Sequence, residues 1–342
     1  MKKKVNLETL AKMAGVGVAT VDRVLNERGG VSHETTRLVL NAAREAGIRR
    51  ILPDEHRNPW QIEVILSSNG TYFFQKLAEE FSVLANGLGY RRLTLHRTLI
   101  SESQPLKLAQ HIIASTKMNK RNGFIIFAPN HPAIYQALTA CKARGIPVIT
   151  LASDLPEADR LCHVGINQRQ AGRTAGLLMS KMLPTQGDLL MVSGRADLLA
   201  HQDRIDGFKA VITKNNPLIR QTDVIVGEDD SEKLRRSLEK SLSQSKNVVG
   251  IYNTGDVNTE VSNGLARHKL AGKCLYITHE IYDLTRRLLQ ENILSFTLDQ
   301  NAKQHAQLSL EILLRTLETS FQPDIYHDGK VEFKIVTSEN ID

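Results

Sequence analysis

The side chains best suited to chemistry in this sequence stand just behind short apolar runs. Asn69 follows "IEVILSS", Ser153 and Asp154 follow "PVITLA", and Arg204 comes shortly after "LLMVSG". Asn253 and Asp256 follow "VVGIY", His279 follows "CLYIT", and Asp299 with Gln300 follows "SFTL". Tyr72, Phe73 and Phe74 stand close behind Asn69. Paired hydrogen-bonding groups and aromatic faces suit a sugar or polyol, which shows both hydroxyls and apolar C–H faces. Any one of these residues could equally be a helix cap or a surface group; their shared placement is the signal. A second chemistry lies near the N-terminus, where Arg23 stands close to the small apolar Val18 and Ala19 and to Asp22: on a helix facing DNA, arginine pairs with guanine edges and small apolar groups meet thymine methyls.

Catalytic signatures are missing. The first apolar run leads into "SSNGTYFF" without G-x-G-x-x-G, and the chain has neither a P-loop nor a G-x-S-x-G elbow. His96, His111, His131, His163, His201, His279 and His305 are scattered without H-x-x-x-H or H-E-x-x-H spacing. They read mostly as surface or hydrogen-bonded residues, so no catalytic metal, no cofactor and no enzyme activity are expected. Cys141, Cys162 and Cys274 are odd in number, widely spaced and set in apolar segments, which suits reduced, buried thiols.

The elements that position these groups follow from periodicity. Leu7, Leu10, Ala11 and Ala14 form one helical face, and Val21, Val24 and Leu25 form another, with Gly15 between them. A glycine there can take the positive φ that ends one helix and turns the chain into the next, which makes a helix-turn-helix. Val18, Ala19, Asp22 and Arg23 lie off the apolar face. Ser32 is placed to cap a third helix whose face is Val39, Ala42, Ala43 and Ala46, with Gly47 at its end. Residues 1–50 carry ten Lys and Arg against five Asp and Glu, in a chain of 342 residues with net charge +7. Such an end suits a polyanion or an anionic membrane surface, or is simply a solvated tail. No apolar run approaches the roughly 18 residues of a membrane span, and the N-terminus lacks the apolar stretch of a signal peptide, so a cytoplasmic protein is expected.

Residues 49–60, "RRILPDEHRNPW", combine basic charge, two prolines and little periodicity, and mark a linker. Beyond them, apolar runs alternate with helical segments: "IEVILSS", "RLTLHRT", "GFIIFAP", "PVITLAS", "CHVGI", "DLLMVSG", "DVIVG", "VVGIYN", "CLYITH" and "SFTLDQ". Continuous apolar strands separated by helices predict buried parallel sheets, and this number exceeds one comfortable sheet, so two lobes are expected. The fold class is therefore α/β: a small all-α head over 1–48, a linker over 49–60, and a two-lobed unit over 61–342. Ligands of such sheets bind beyond the carboxyl ends of strands, where the polar residues above fall.

The head segment, "VNLETLAKMAGVGVATVDRVLNERGGVSHETTRLVLNAAREAGI", resembles the DNA-binding head of the lactose-repressor (LacI) family in its A-x-x-A-G-V turn, T-V-x-R-V-L-N and V-S-x-x-T. The resemblance implies that Val18, Ala19 and Arg23 read bases, while Asn6, Gly17, Asn26, Ser32 and Thr35 touch phosphates or the adjoining backbone. Gly17 and Asp22 replace usual serines, and Asp22 is expected to weaken phosphate contact, to orient Arg23, or to be no more than an exposed charge on the helix surface. In the family the linker folds into a hinge helix on DNA and wedges a leucine, here Leu52, into the minor groove. Pro53 is hostile to a helix interior, so a standard hinge helix is not expected here.

The rest of the chain, from 62 to about 318, resembles the periplasmic sugar-binding fold of ribose-binding proteins, through "NGTYFF", "GIPVIT", "GINQRQAG", "HQDRIDGF" and "SFTLDQNAKQHA" in that order. By that resemblance Phe73 or Phe74, Arg204, Asp256 and Gln300 fall on ligand positions. Ala152 and Ser153 replace an aspartate-arginine pair and His279 replaces an aspartate, which implies a pocket that has lost charged groups and is not built for ribose. The expected protein is a transcriptional regulator, most simply a repressor, with operator DNA and a sugar or polyol effector as partners, no membrane, and a homodimer or homotetramer as its assembly. Two rivals stay open: a transport-type binding protein, which would need an export signal, and an α/β enzyme fused to a DNA-binding head, which would need an acid-base or nucleophile pair in the cleft.

Overall fold

Asn6 fixes the start of the first helix. Its backbone is extended and its Oδ1 accepts from the Thr9 N–H at 2.9 Å, satisfying a donor that the helix itself leaves open. The computed structural model describes residues 6–26, 28, 31–47, 59–88, 93–118, 120–195, 197–227, 230–255 and 257–341. Leu52, Pro53 and Asp256 therefore lie outside the described residues, and so does nearly all of the expected linker. The chain divides into two compact units close to Trp60.

The first unit is built from α1 (Leu7–Ala14), α2 (Val18–Leu25) and α3 (His33–Glu45). Gly15, at φ 65°, ends α1 and turns the chain toward α2. Ser32 caps α3, its Oγ accepting from the Thr35 N–H at 3.2 Å. The core joins Leu10, Ala11 and Ala14 to Val21, Val24 and Leu25 and to Val39, Leu40, Ala42 and Ala43. Leu7, assigned to this apolar face by periodicity, is 37% exposed because it opens α1 at the rim of so small a core.

The second unit runs in chain order through β1 (Trp60–Leu66), α4 (Tyr72–Leu88), β2 (Leu93–Leu99), α5 (Pro105–Lys117), β3 (Gly123–Ile126), α6 (Pro132–Lys142), β4 (Val148–Leu151) and β5 (Cys162–Val164). It continues with α7 (Gln168–Met182), β6 (Gly187–Ser193), α8 (Leu199–Asn215), β7 (Ile219–Val226), α9 (Ser231–Gln244), β8 (Val248–Asn253), α10 (Asn258–Arg267), β9 (Leu275–His279), α11 (Asp283–Gln290), β10 (Phe296–Asp299), α12 (Ala302–Thr319) and β11 (Lys334–Val336). Trp60 is thus the first residue of a strand, not the last of the linker. One sheet has the order β2-β1-β3-β4-β5 and the other β11-β10-β9-β8-β6-β7, so the α/β, two-sheet expectation holds. The ladders from β1 through β5 and from β7 through β10 are parallel. β11 runs antiparallel to β10 at the edge. It escapes the sequence reading because three residues, two of them exposed, carry no apolar run.

α7 and α8 pack backbone against backbone. A Cβ on Gly172 would stand 2.0 Å from the Arg204 carbonyl oxygen, and one on Gly207 would stand 2.2 Å from that of Arg169. Neither gap can be opened by rotating a side chain. No helix among the described residues is long and apolar enough to cross a membrane.

Gly172→Ala is expected to push α8 off α7, at about 1 to 3 kcal/mol of stability for overpacking. Urea unfolding followed by circular dichroism measures this, and an unchanged midpoint would show that α8 yields freely.

Candidate functional site

A cavity of about 410 Å³ opens at the carboxyl ends of strands from both sheets, a size within the range of small-molecule sites. Phe73 and Phe74 enter from the first turn of α4, and Phe127 follows β3. Phe74 and Phe127 meet with ring centroids 4.5 Å apart, and Phe73 stands edge-on to Phe74 at 5.6 Å. The three rings give the cavity an apolar wall. Beside them Glu102, 4% exposed, accepts from the Ser67 hydroxyl and from Asn69 Nδ2, the latter at 2.7 Å.

The opposite wall is a buried polar chain. Arg204 Nε donates to Gln168 Oε1 at 2.7 Å, Gln168 Nε2 donates to Gln300 Oε1 at 3.2 Å, and Gln300 Nε2 donates to Glu280 Oε1 at 2.5 Å. Gln168 Nε2 also donates to the Ala152 carbonyl at 3.0 Å. Ala152 and Glu280 line the cavity in left-handed conformations, with φ 62° and 70°. Left-handed backbone in a non-glycine residue is held only where its surroundings over-determine it.

Two histidines on this wall are electrically neutral. Burial, and then the nearby Arg204 charge, pulls His201 down to about 3 and holds His279 well below its ordinary value. His201 Nδ1 faces Thr254 Oγ1 at 2.6 Å. His279 Nε2 lies 2.9 Å from the Tyr252 hydroxyl, while its Nδ1 has no hydrogen-bond partner. Both groups are served when Tyr252 donates to Nε2, which leaves Nδ1–H buried without a partner.

Of the sequence-derived candidates, Asn69, Phe73, Phe74, Arg204, His279 and Gln300 are brought together on this cavity. Ser153 is not: it is 2% exposed, and the turn at Ala152 puts Ala152 on the wall in its place. Asn253 is fully buried and fastens a loop instead, accepting from the Gly255 N–H at 3.2 Å and donating to Asn258 Oδ1 at 2.7 Å. Asp154 pairs with Arg160 at 2.8 Å. Ala152 and His279 stand on the wall without charge, while Glu102 and Glu280 bring carboxylates to it from positions outside the sequence-derived set. Glu280 was signalled by adjacency to His279, and Glu102 by lying just beyond β2. Gln168 carried no signal outside the fold. Of the histidines read as surface or hydrogen-bonded groups, His201, His279 and His305 are of the second kind: they are buried and bond Thr254, Tyr252 and the Asn301 carbonyl. No cluster able to hold a metal occurs among the described residues. The three cysteines are free and buried, and burial pushes the Cys162 thiol up to about 12.

On the head, Val18, Ala19 and Arg23 are exposed on α2, with Val18 at 42%. Asp22 does not orient Arg23. It pairs with Arg28 at 2.8 Å and accepts from Asn26 Nδ2 at 2.6 Å, because Asn26 stands one helical turn away. Asn6 caps α1, Ser32 shares a 2.8 Å hydrogen bond with the Thr35 hydroxyl, and Gly17 begins α2 without a side-chain cap.

Residues 6–49 match the family model of bacterial regulatory proteins of the lacI family, and residues 62–319 match that of the periplasmic binding protein domain. The HTH-type transcriptional regulator MalR of Clostridium butyricum is 24% identical over 278 residues, covering 76% of this chain and 79% of that protein. The ribose operon repressor of Halalkalibacterium halodurans is 26% identical over 262 residues, covering 73% of this chain and 72% of that protein. In fold, the chain is similar to a solute-binding protein of Burkholderia graminis in complex with D-arabinose, at TM-score 0.75 and 20% identity over 84% of this chain and 98% of that one.

His305, fully buried against Phe73, is pulled down to about 4 by burial. Its unfolded form takes up a proton near pH 6.5 while the folded form stays neutral, so its contribution to stability is complete above pH 6.5 and is lost as pH falls toward 4. His305→Gln is expected to flatten the decline in urea stability between pH 7 and pH 4.5, since each such histidine adds up to about 1.4 kcal/mol per pH unit. Parallel declines in wild type and variant would refute this.

Proposed function

The chain belongs to the lacI family of bacterial regulatory proteins, and from that premise we propose that it is a cytoplasmic, dimeric repressor whose hold on operator DNA is set by a sugar or polyol. One observation carries the reading. The same chain holds an exposed Val18–Ala19–Arg23 face on a helix-turn-helix and a cavity with aromatic faces and converging hydrogen-bond groups at strand ends. Val18, Ala19 and Arg23 read bases. Asn6, Gly17, Asn26, Ser32 and Thr35 hold the head against the phosphate backbone, and residues 49–58 join head to sensor.

In the sensor, the rings of Phe73, Phe74 and Phe127 lie against the C–H faces of the ligand. Asn69, Glu102, Arg204, His279, Glu280 and Gln300 take its hydroxyls. A hydroxyl both donates and accepts, and this wall offers carboxylate acceptors on one hand and guanidinium donors on the other. A ligand touching residues of both sheets favours the closed arrangement of the lobes, and operator affinity changes because the two arrangements differ in their affinity for that ligand. The cavity acts as a sensor, without a chemical step.

Operator sequences selected from a random duplex library test the DNA half. Arg23→Ala is expected to cost about 1 to 3 kcal/mol on the selected site and little on unrelated DNA. Equal losses on both would assign Arg23 to phosphate contact.

The sensor half is tested by Arg204→Lys, which keeps the charge and loses the fork that binds Gln168 and the Thr254 carbonyl. Operator affinity without ligand should stay within about twofold, while the ligand concentration needed for half response should rise at least about tenfold, or roughly 1.4 kcal/mol. A normal response would move the sensor site elsewhere.

A further inference from the structure

The cavity wall carries a definite charge. Among the described residues, the carboxylates of Glu102, Asp230, Glu260 and Glu280 face it, against the guanidinium groups of Arg195 and Arg204. One of these cations is neutralised: Arg195 forms a two-pronged pair with Asp197 at 2.8 and 2.6 Å. Arg204, 3% exposed, keeps its charge while it donates to the neutral Gln168 side chain and Thr254 carbonyl, so the lining carboxylates outnumber the one cation that remains. The histidines add no positive charge, since burial keeps His201 and His279 neutral.

Glu102 is the deciding group. It is buried at 4% exposure, its partners are the neutral Ser67 hydroxyl and Asn69 amide, and no described cation pairs with it. A second anion placed in the same cavity would lose its hydration and meet this uncompensated charge. Hydroxyl groups meet the opposite situation: they carry no charge of their own and can donate to Glu102 and Glu280.

We propose that the sensor cavity takes an uncharged polyhydroxylated molecule and rejects its phosphorylated and carboxylated forms, so that the protein responds to a free sugar or polyol and not to the ester made from it. The inference rests on the sugar reading of the cavity and adds to it the charge of the ligand. It makes Glu102 and Glu260 specificity-determining residues.

The test uses the full chain and matched probes: D-glucose with glucose 6-phosphate and glucuronate, D-ribose with ribose 5-phosphate, and D-xylose, L-arabinose and myo-inositol with their phosphates. Thermal melting and calorimetric titration give each affinity, and inorganic phosphate serves as the blank for anions held by the basic head. At least one uncharged probe should bind, with its charged forms weaker by about a hundredfold or more, or roughly 2.8 kcal/mol. Glu102→Gln and, independently, the less buried Glu260→Gln should narrow that gap, mainly by admitting the charged form. A phosphate ester that binds as tightly as its parent sugar, beyond the inorganic phosphate blank, overturns the charge inference and leaves the sugar reading intact. A gap that neither variant narrows overturns the assignment to these carboxylates. Silence from every probe overturns the sugar reading, and the inference falls with it.

Discussion

The arrangement of the sensor depends on one buried carboxamide. Gln168 is 7% exposed, and its Nε2 and Oε1 both find partners: the Ala152 carbonyl at the end of β4, Gln300 beyond β10, and Arg204 on α8. A buried polar atom left without a partner costs about 1 to 3 kcal/mol, so moving any one of these three elements alone is opposed. The glycine contact of α7 on α8 supplies the other half of the constraint, because Gly172 lets the backbone of Arg204 approach close enough for its guanidinium to reach Gln168. The cavity wall is therefore set by residues behind it as much as by those on it.

The sequence was most informative where a single local rule decides the outcome. Unbroken apolar runs such as "GFII" and "VITL" can only be buried on both faces, and they became the central parallel strands β3 and β4. The three-residue β11 obeys no such rule: only Val336 of its three residues is buried, and it pairs with β10 at the sheet edge. The same contrast runs through the site. The rule of strand carboxyl ends led to Arg204, His279 and Gln300, yet it could not separate Ala152 from Ser153, where a single left-handed φ decides which residue meets the cavity. Gln168 lay beyond reach for another reason: a carboxamide acquires its meaning from partners far along the chain, here Arg204 and Gln300. On the head, residues chosen for their position relative to DNA proved to be cap and turn residues as well. Asn6 and Ser32 cap the backbone of their own helices, and Asn26 donates to the Asp22 side chain one turn back.

Charge is divided along the chain in a way that suits a protein with two kinds of partner. The N-terminal fifty residues carry a surplus of Lys and Arg, whereas the cavity gathers carboxylates and keeps its histidines neutral. A positive surface attracts a polyanion over a distance limited by ionic strength, about 8 Å at physiological salt, and small anionic metabolites feel the same attraction. A cavity that disfavours anions does not confuse the two.

Any response to a ligand must come from contacts that differ between two arrangements of the lobes. A residue belonging wholly to one lobe binds ligand equally well in either arrangement and shifts nothing, however tightly it binds. The groups that can discriminate are those tied to both sheets. Ala152 closes β4 in the five-stranded sheet, Glu280 and Gln300 stand beyond β9 and β10 in the six-stranded one, and Gln168 bonds Ala152 and Gln300 directly. Ala152 and Glu280 already hold left-handed backbone, which costs of order 1 kcal/mol or more at a non-glycine residue. A ligand hydroxyl that bonds Glu280 or Gln300 while its ring lies on Phe74 draws on both lobes at once, and Glu280 is itself one of the left-handed positions. Under the proposed function the rings supply affinity, while a bias between the two arrangements needs contacts drawn from both sheets.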